Sequence, residues 1–505
     1  MNLLKTVVKI TPVSILRKVQ SFSLKKPSRI KFLFKVSNEE ALVEIGKKLA
    51  YNNFKKVSKN TPAYKKFLES NGVNAKKVNS FEKFIEIVPT TDKNNYIAKY
   101  PMDELCINGD LSPLAIIDRS SGYSGKSIYF PISKKENLFD ELVMANWFKT
   151  QFNISTKDLL INCFFLGSWV AGIKIGNSAR MIGTTINTGP RLDEIVETIF
   201  DLDRYYERII ILSYPPFAMM LVYKLIEAGY DFEGKNFLFL VGGEGYNLEF
   251  KQKLQELTKN SSEIFGAFGS TETGIRIGNE TADTHMLKQM AASNKEFCKK
   301  MFGKEFPPNI FQYDPTNVHL FTKKYKNGKD ALVFTSASKR AVPVIKYNLK
   351  DEGGVLTQKE VKKIIKEVFN MDFNFKLPLP IFYVYGRVDD TISIASAIFY
   401  PHQIKSGLLE FMDNVIDYRL ESKTTDTGVI YPAVHVAVKD KRKASKKKIE
   451  ESIYKTLLKY SSTYSESIKE GIADRPIVFL YTEKDFPFEL NEITKNQVKE
   501  KHLVN

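Results

Sequence analysis

Six runs of sequence decide how this chain folds: LLINCFFLG (159–167), LDEIVETIFDL (192–202), RIIILS (208–213), PFAMMLVYKLIEAG (216–229), FLFLVGG (237–243) and LEFKQKLQELTK (248–259). The first, third and fifth are short and apolar, as strands buried on both faces are. The others carry apolar residues at helical spacing. Such alternation is the signature of α/β layering around a largely parallel sheet. The pattern reaches from LAIID (114–118) to about residue 350. Upstream, residues 39–71 read as two helices, the second opening at Thr61-Pro62 and stopping at Gly72. The stretch VPTTDKNNYIAKYP (88–101) reads as a linker, and residues 279–325 as an irregular insertion.

At 505 residues the chain is too long for one core, and two or three domains are expected. A boundary falls near Gly386-Arg387, after the strand-like IFYVY (381–385). Beyond it QIKSGLLEFM, VIYPAVHVAVK, ESIYKTLLKY and PIVFLY are enough for a small α+β unit. The expected division is a basic N-terminal segment (1–38), a large domain (39–385) and a small C-terminal domain (386–505).

Hydrophobic content of 43% and charged content of 26% are ordinary for a globular chain. No long uncharged apolar stretch predicts a transmembrane helix. Cys106, Cys163 and Cys298 lie far apart, which argues against a zinc site and a disulfide framework and fits a reducing, cytoplasmic compartment. The net charge of +17 suggests a nucleic-acid partner until its distribution is read. Residues 1–38 hold nine Lys or Arg and no acid, leaving a mild +8 over the rest. No nucleic acid is therefore expected. A second basic run, 439–448, reads as a solvated loop between a strand (431–438) and a helix (449–459). The N-terminal LLKTVVKITPVSILRKVQSF (3–22) mixes apolar and basic residues at helical spacing, broken at Pro12. It lacks the apolar core of a secretory signal. It suits either an anionic membrane surface or packing against the domain.

The strongest chemical signal is Ser120-Ser121-Gly122-Tyr123-Ser124-Gly125-Lys126. Two glycines let the backbone approach a polyanion, hydroxyls and N–H groups can cradle phosphate oxygens, and the lysine adds a point charge. The spacing is not that of a Walker loop, and the following Ser127-Ile-Tyr-Phe-Pro looks like a strand, so the element reads as strand–loop–strand. A polar hairpin without a ligand is the other reading of these seven residues.

Residues 120–126 resemble the phosphate loop of the adenylate-forming superfamily, in its phenylacetate–CoA ligase and capsular CapK-like branch. The segments NTPAYKKFL and VPTTDKNNY are similar to that branch as well. Further resemblances follow in the family's order: Val241-Gly242-Gly243-Glu244, Gly269-Ser270-Thr271-Glu272-Thr273-Gly274, Tyr347-Asn348-Leu349-Lys350-Asp351 and Gly386-Arg387-Val388-Asp389-Asp390. The resemblance implies a large α/β adenylate-forming domain with a small mobile α+β domain. It implies ATP bound by Ser120, Ser121, Gly122, Ser124, Gly125 and Lys126, with Gly243 and Glu244 beside the adenine. Thr271 would sit near the α-phosphate and Glu272 would take Mg²⁺. Asp351 and Arg387 would serve the ribose, with Asp389 as the hinge. Lys495 would be the catalytic lysine, with Lys499 as the alternative. Phe165, Gly167, Trp169 and Gly172 are candidates for the acyl wall.

The implied activity joins a carboxylic acid to AMP and then to a thiol, coenzyme A. A carrier or protein cysteine is the alternative acceptor, and a degenerate nucleotide binder the alternative function. The departures are Tyr123-Ser124 for Thr-Thr, Asn348 for Arg, Leu349-Lys350 for Thr-Gly, and Ser396-Ala397-Ile398-Phe399-Tyr400-Pro401 where a glycine is expected.

Overall fold

The computed structural model describes residues 3–123, 126–167, 170–243, 245–325, 329–338, 340–387, 392–395, 397–399, 401–411 and 414–488. The chain opens with helices α1 (Leu3–Ile10), α2 (Val13–Ser23), α3 (Pro27–Val36), α4 (Glu39–Asn60) and α5 (Pro62–Ser70), then α6 (Phe81–Ile87) and α7 (Met102–Leu105). Helix α4 starts where the Asn38 side chain accepts from Ala41 N, with Glu39 and Glu40 in the first turn favouring its positive end. It stops before Thr61-Pro62, as expected, because proline cannot continue a helix but can open one.

A hairpin of β1 (Leu114–Tyr123) and β2 (Lys126–Ser133) follows. Helix α8 (Lys134–Phe152) leads into β3 (Asp158–Asn162), α9 (Val170–Arg180), β4 (Thr184–Asn187), α10 (Leu192–Leu202), β5 (Arg208–Ser213), α11 (Pro215–Glu227), β6 (Phe237–Gly242), α12 (Leu248–Leu257), β7 (Ser262–Ser270) and β8 (Gly274–Asn279). Strands β4, β3, β5, β6 and β7 pair in parallel, so the alternation that predicted α/β layering is present. The runs of β3, β5 and β6 are continuous because both faces are covered: Ile209 to Leu212 are all buried.

Residues 279–325 are not an insertion. Thr281 and Thr284 close a capping box that starts α13 (Ala282–Ser293), followed by α14 (Lys295–Phe302), β9 (Asn309–Tyr313) and β10 (Val318–Lys324). Strand β9 runs between β8 and β13 (Ile381–Arg387), inside one eleven-stranded sheet. The antiparallel half is completed by β11 (Asp330–Ser336) and β12 (Tyr347–Leu356), giving the order β10-β11-β12-β13-β9-β8-β7-β6-β5-β3-β4. The burial of β9 on both faces removed the alternation by which an antiparallel strand is usually read. Helix α15 (Gln358–Phe369) packs with α13 and α14 through Val361, Ile365, Phe297 and Leu287.

After β13 the chain builds separate sheets. One is a hairpin of β14 (Ile392–Ile394) and β15 (Ala397–Phe399). After α16 (Pro401–Leu408), strands β16 (Val415–Thr424), β17 (Ile430–Val438) and β18 (Ile477–Thr482) form the other, with α17 (Lys446–Tyr460) and α18 (Ser462–Lys469) between the last two. The basic run before α17 faces water, as expected: Lys439, Lys441, Arg442 and Lys443 are exposed.

The N-terminal segment packs on the protein. Lys48 donates to the carbonyls of Val8, Lys9 and Thr11, at 2.9, 2.6 and 2.7 Å, closing the end of α1. Arg17 reaches Ala337 O and Asn53 Oδ1, and Gln20 reaches Thr316 O. Among the described residues no helix is long and apolar enough to cross a membrane.

Candidate active site

The phosphate-loop reading falls on the tip of the β1–β2 hairpin. Tyr123 pairs with Lys126, which leaves Ser124 and Gly125 as the connection; those two lie outside the described residues. The backbones of Ser120, Ser121, Gly122 and Lys126 are strand, as the strand–loop–strand reading requires. Three ion pairs, two of them sharing Arg340, hold the hairpin's base. Asp118 faces Lys174 of α9 at 2.8 Å, and Arg340 faces Glu136 of α8 at 3.1 Å and Asp140 at 3.6 Å. Burial raises the Asp118 carboxyl above its ordinary range, and the Lys174 charge only partly opposes that. Arg119, next in the strand, lines a cavity of about 1090 Å³ that runs along the ends of the parallel strands. Ligand sites in open α/β sheets occupy that position.

The same cavity collects the separate sequence matches. Gly243 lines it at the end of β6 with φ +88°, a left-handed turn that a side chain would strain. Glu244 lies outside the described residues. Thr271 and Glu272 line it from the β7–β8 turn, which is braced by Ser270 Oγ accepting from Thr273 N at 3.1 Å. Glu272 is buried, and Lys93 Nζ sits 3.2 Å from its Oε1. Burial alone would raise this carboxyl; the Lys93 charge, together with hydrogen bonds from Lys93, Ser270 and the Glu272 backbone, outweighs it and holds Glu272 below the usual range. Lys93 belongs to the stretch read as a linker. That stretch is instead bonded into the site: Thr91 N donates to Lys346 O at 2.9 Å and Asn348 N to Thr91 O at 2.8 Å.

Asp351 lines the cavity from β12 and stands directly opposite Arg387 in the β12–β13 ladder. The two residues assigned to the ribose, far apart in sequence, thus occupy one cross-strand position. The departures before Asp351 lie within strand β12. Lys350 adopts φ +67°, and Asn348 Oδ1 accepts from Lys350 N at 2.7 Å while its amide donates to Tyr325 OH at 2.6 Å. Asp389, Ser396, Tyr400, Lys495 and Lys499 lie outside the described residues.

Of the acyl-wall candidates, Phe165 lines the cavity with Phe164, Ile175, Leu212 and Tyr214. Gly172 lets α9 approach it: a Cβ there would come 2.1 Å from Phe165 O. Gly167 turns the connecting loop at φ +96°, and Trp169 lies outside the described residues.

Sequence reasoning missed a buried polar network beneath the site. Glu280 accepts from Tyr246 OH, from Gly266 N at 2.6 Å and from His285 Nε2 at 3.0 Å. Lys251 Nζ lies 2.9 Å from His285 Nδ1, which assigns the ring proton to Nε2. Lys288 donates to Tyr246 O at 2.6 Å and Asn309 Oδ1 at 2.9 Å. Burial would raise the Glu280 carboxyl, but His285, Lys288 and Tyr246 together pull it down to about 2. The network ties the segment after Gly243 to strand β7, and no short motif announces it.

Glu272 suits a magnesium ion carried in by phosphates: it is a hard oxygen donor held ionised on the cavity wall. Among the described residues no group of three or more His, Cys, Asp or Glu forms a metal cage. One carboxylate with substrate oxygens is a common arrangement for Mg²⁺.

No protein-family model and no curated protein matches the sequence. Solved structures do. The 2-hydroxyisobutyryl-CoA ligase with 2-HIB-AMP and CoA in the thioesterification state superposes with a TM-score of 0.62 at 13% identity, over 92% of this chain and 89% of that one. An open conformation of that ligase gives 0.53 at 13% identity, over 92% of each chain. The chain has the adenylate-forming enzyme fold. A postadenylation structure of the ligase with R3-HIB-AMP gives 0.52 at 11% identity, over 92% and 89%. At such identity the likeness carries the fold alone.

Proposed function

We propose that the chain uses ATP to activate a carboxylic acid as an acyl-adenylate and then transfers the acyl group to the thiol of coenzyme A. The observation that carries this reading is the convergence of Gly243, Thr271, Glu272 and Asp351 on one cavity, beside the base of the β1–β2 hairpin. In the first half-reaction a carboxylate oxygen attacks the α-phosphorus and the bond to pyrophosphate breaks. In the second the thiol sulfur attacks the acyl carbon, its proton passes to solvent, and AMP leaves. Such chemistry asks the protein for positioning and charge neutralisation rather than covalent participation. The departing pyrophosphate is assigned to residues 120–126, the α-phosphate to Thr271, the ribose to Asp351 and Arg387, and the adenine side to Gly243 and Glu244. Glu272 would hold magnesium, which supplies positive charge to the phosphates. Lys495 would neutralise the charge growing between carboxylate and phosphate, and Asp389 would be the hinge of the small domain.

The order of the motifs supports the phenylacetate–CoA ligase and CapK-like branch. Three free, buried cysteines support a reducing, cytoplasmic setting. A carrier or protein thiol is the second reading of the acceptor, favoured by Ser396 standing where the branch has glycine. Acid-dependent exchange of pyrophosphate into ATP, run over a panel of aryl, fatty and amino acids, tests adenylation. Exchange with one acid class, lost in Lys126→Ala without loss of folding, is expected. No exchange with any acid would sink the reading. Acyl-CoA formation then separates coenzyme A from a protein acceptor.

A further inference from the structure

Helices α1, α2 and α3 are apolar on two sides. Their inner sides meet the protein: Val8 and Leu16 are buried, and Lys48, Arg17, Gln20 and Asn146 make the hydrogen bonds that pin the segment. Their outer sides carry a second apolar stripe at helical spacing. In α1 it is Leu3, Val7 and Ile10, in α2 Ile15, Val19 and Phe22, and in α3 Phe32 and Val36. Leu3, Ile10 and Phe32 are 77%, 79% and 65% exposed. Nine of the 24 exposed large apolar side chains among the described residues fall within residues 3–36, so the stripe is a concentration and not scatter.

Charge says what covers it. The segment has nine basic residues and no acidic one. Lys9, Lys18, Lys31 and Lys35 are exposed on the same three helices, and Lys25 and Lys26 between α2 and α3. Among the described residues one ion pair, Lys5 with Glu40 at 3.4 Å, links the segment to an acid. A second copy of the chain would bring this basic face against itself, because a two-fold interface is self-complementary. An anionic bilayer satisfies both features: apolar side chains enter the interface while lysine heads stay among anionic headgroups.

We propose that α1–α3 form a peripheral docking surface for an anionic membrane, with Leu3, Ile10, Phe22 and Phe32 inserting and the flanking lysines held by lipid phosphates and carboxylates. The helices are preformed on the domain, so binding orders no additional chain and needs no spanning segment. The proposal does not depend on the adenylation reading, since it uses no residue of the cavity.

Sedimentation of the full chain with vesicles of phosphatidylcholine, with and without one third phosphatidylserine, tests it. Binding to the anionic vesicles is expected, weak on phosphatidylcholine alone and weakened by salt. Each basic residue near the surface multiplies the partition by roughly five. The variant Leu3→Ser/Ile10→Ser/Phe22→Ser/Phe32→Ser should lose binding with little change in melting temperature, because all four side chains are exposed and the Phe22 ring meets the Arg29 guanidinium of the same segment. Lys18→Gln/Lys25→Gln/Lys31→Gln should lower the partition by roughly a hundredfold. The proposal is overturned if the chain pellets with neither vesicle, or if both variants bind like the parent. It is overturned too if light scattering shows a dimer that the serine variant abolishes, which would assign the stripe to a second copy.

Discussion

Glu272 is an ionised carboxylate in a buried place, and Lys93 is the main group that offsets its burial. Two substitutions separate its roles. Glu272→Gln keeps the shape and removes the charge that would meet magnesium; pyrophosphate exchange should fall about a hundredfold or more, with its magnesium dependence flattened. Lys93→Met leaves the carboxylate in place but without its cation. Its pKa must rise, so the acid limb of the exchange profile should move to higher pH. An unmoved limb would show that Lys93 does not set the charge of Glu272.

The buried Glu280 gives a stability prediction of the same kind. Its folded pKa, about 2, lies below the ordinary value of 4.5, so the folded state binds the proton less well. The stability it contributes is complete above the unfolded pKa and drains away as pH falls through 4.5 towards 2. That loss is on the order of 3 kcal/mol. Glu280→Gln should be less stable than the parent at pH 7 and should lose less further stability on acidification; parallel curves would refute the linkage.

At the scale of elements, the β1–β2 hairpin takes its position from charge buried in helices. Lys174→Met would leave Asp118 buried without its cation, at a cost of about 3–5 kcal/mol. The double variant Asp118→Asn/Lys174→Met should recover most of that, read as melting temperature and as KM for ATP. A double variant no better than the single would mean that Arg340 already compensates Asp118. The hairpin itself was legible, because two glycines between strand-like runs make a local signal. So were β3, β5 and β6 of the parallel half, whose runs are apolar and buried, whereas β4 (TTIN) and β7 carry no such run. The linker 88–101 and the stretch 279–325 were misread for one physical reason. Their roles come from a partner 179 residues away for Lys93, at Glu272, and from burial on both faces for β9, neither of which has a periodicity. The same holds for Tyr246, Glu280 and His285, which are ordinary residues until the fold brings them together.

At the scale of the molecule, the cavity is lined from the large sheet and also by Ser422, Thr424, Ile430 and Thr463, which come after β13. A nucleotide held there touches two parts of the chain joined near Arg387, whose backbone is laddered to Asp351. Binding to the folded state alone stabilises by mass action, about 2.7 kcal/mol at a hundredfold excess over Kd. A chain of this length converts that into a rise of a few degrees in melting temperature, about 2–4 °C per kcal/mol for domains of 150–250 residues and less for longer ones. AMP and ATP should both produce it, and Asp351→Ala should abolish it for both, because each ligand keeps the ribose. Pyrophosphate alone should still protect the Asp351→Ala protein, since the hairpin end of the cavity is untouched. If Asp351→Ala keeps the full shift with AMP, the ribose does not lie at the β12–β13 pair. The nucleotide would then have to run along the cavity in the opposite sense, with its phosphates towards Asp351, where a carboxylate would repel them.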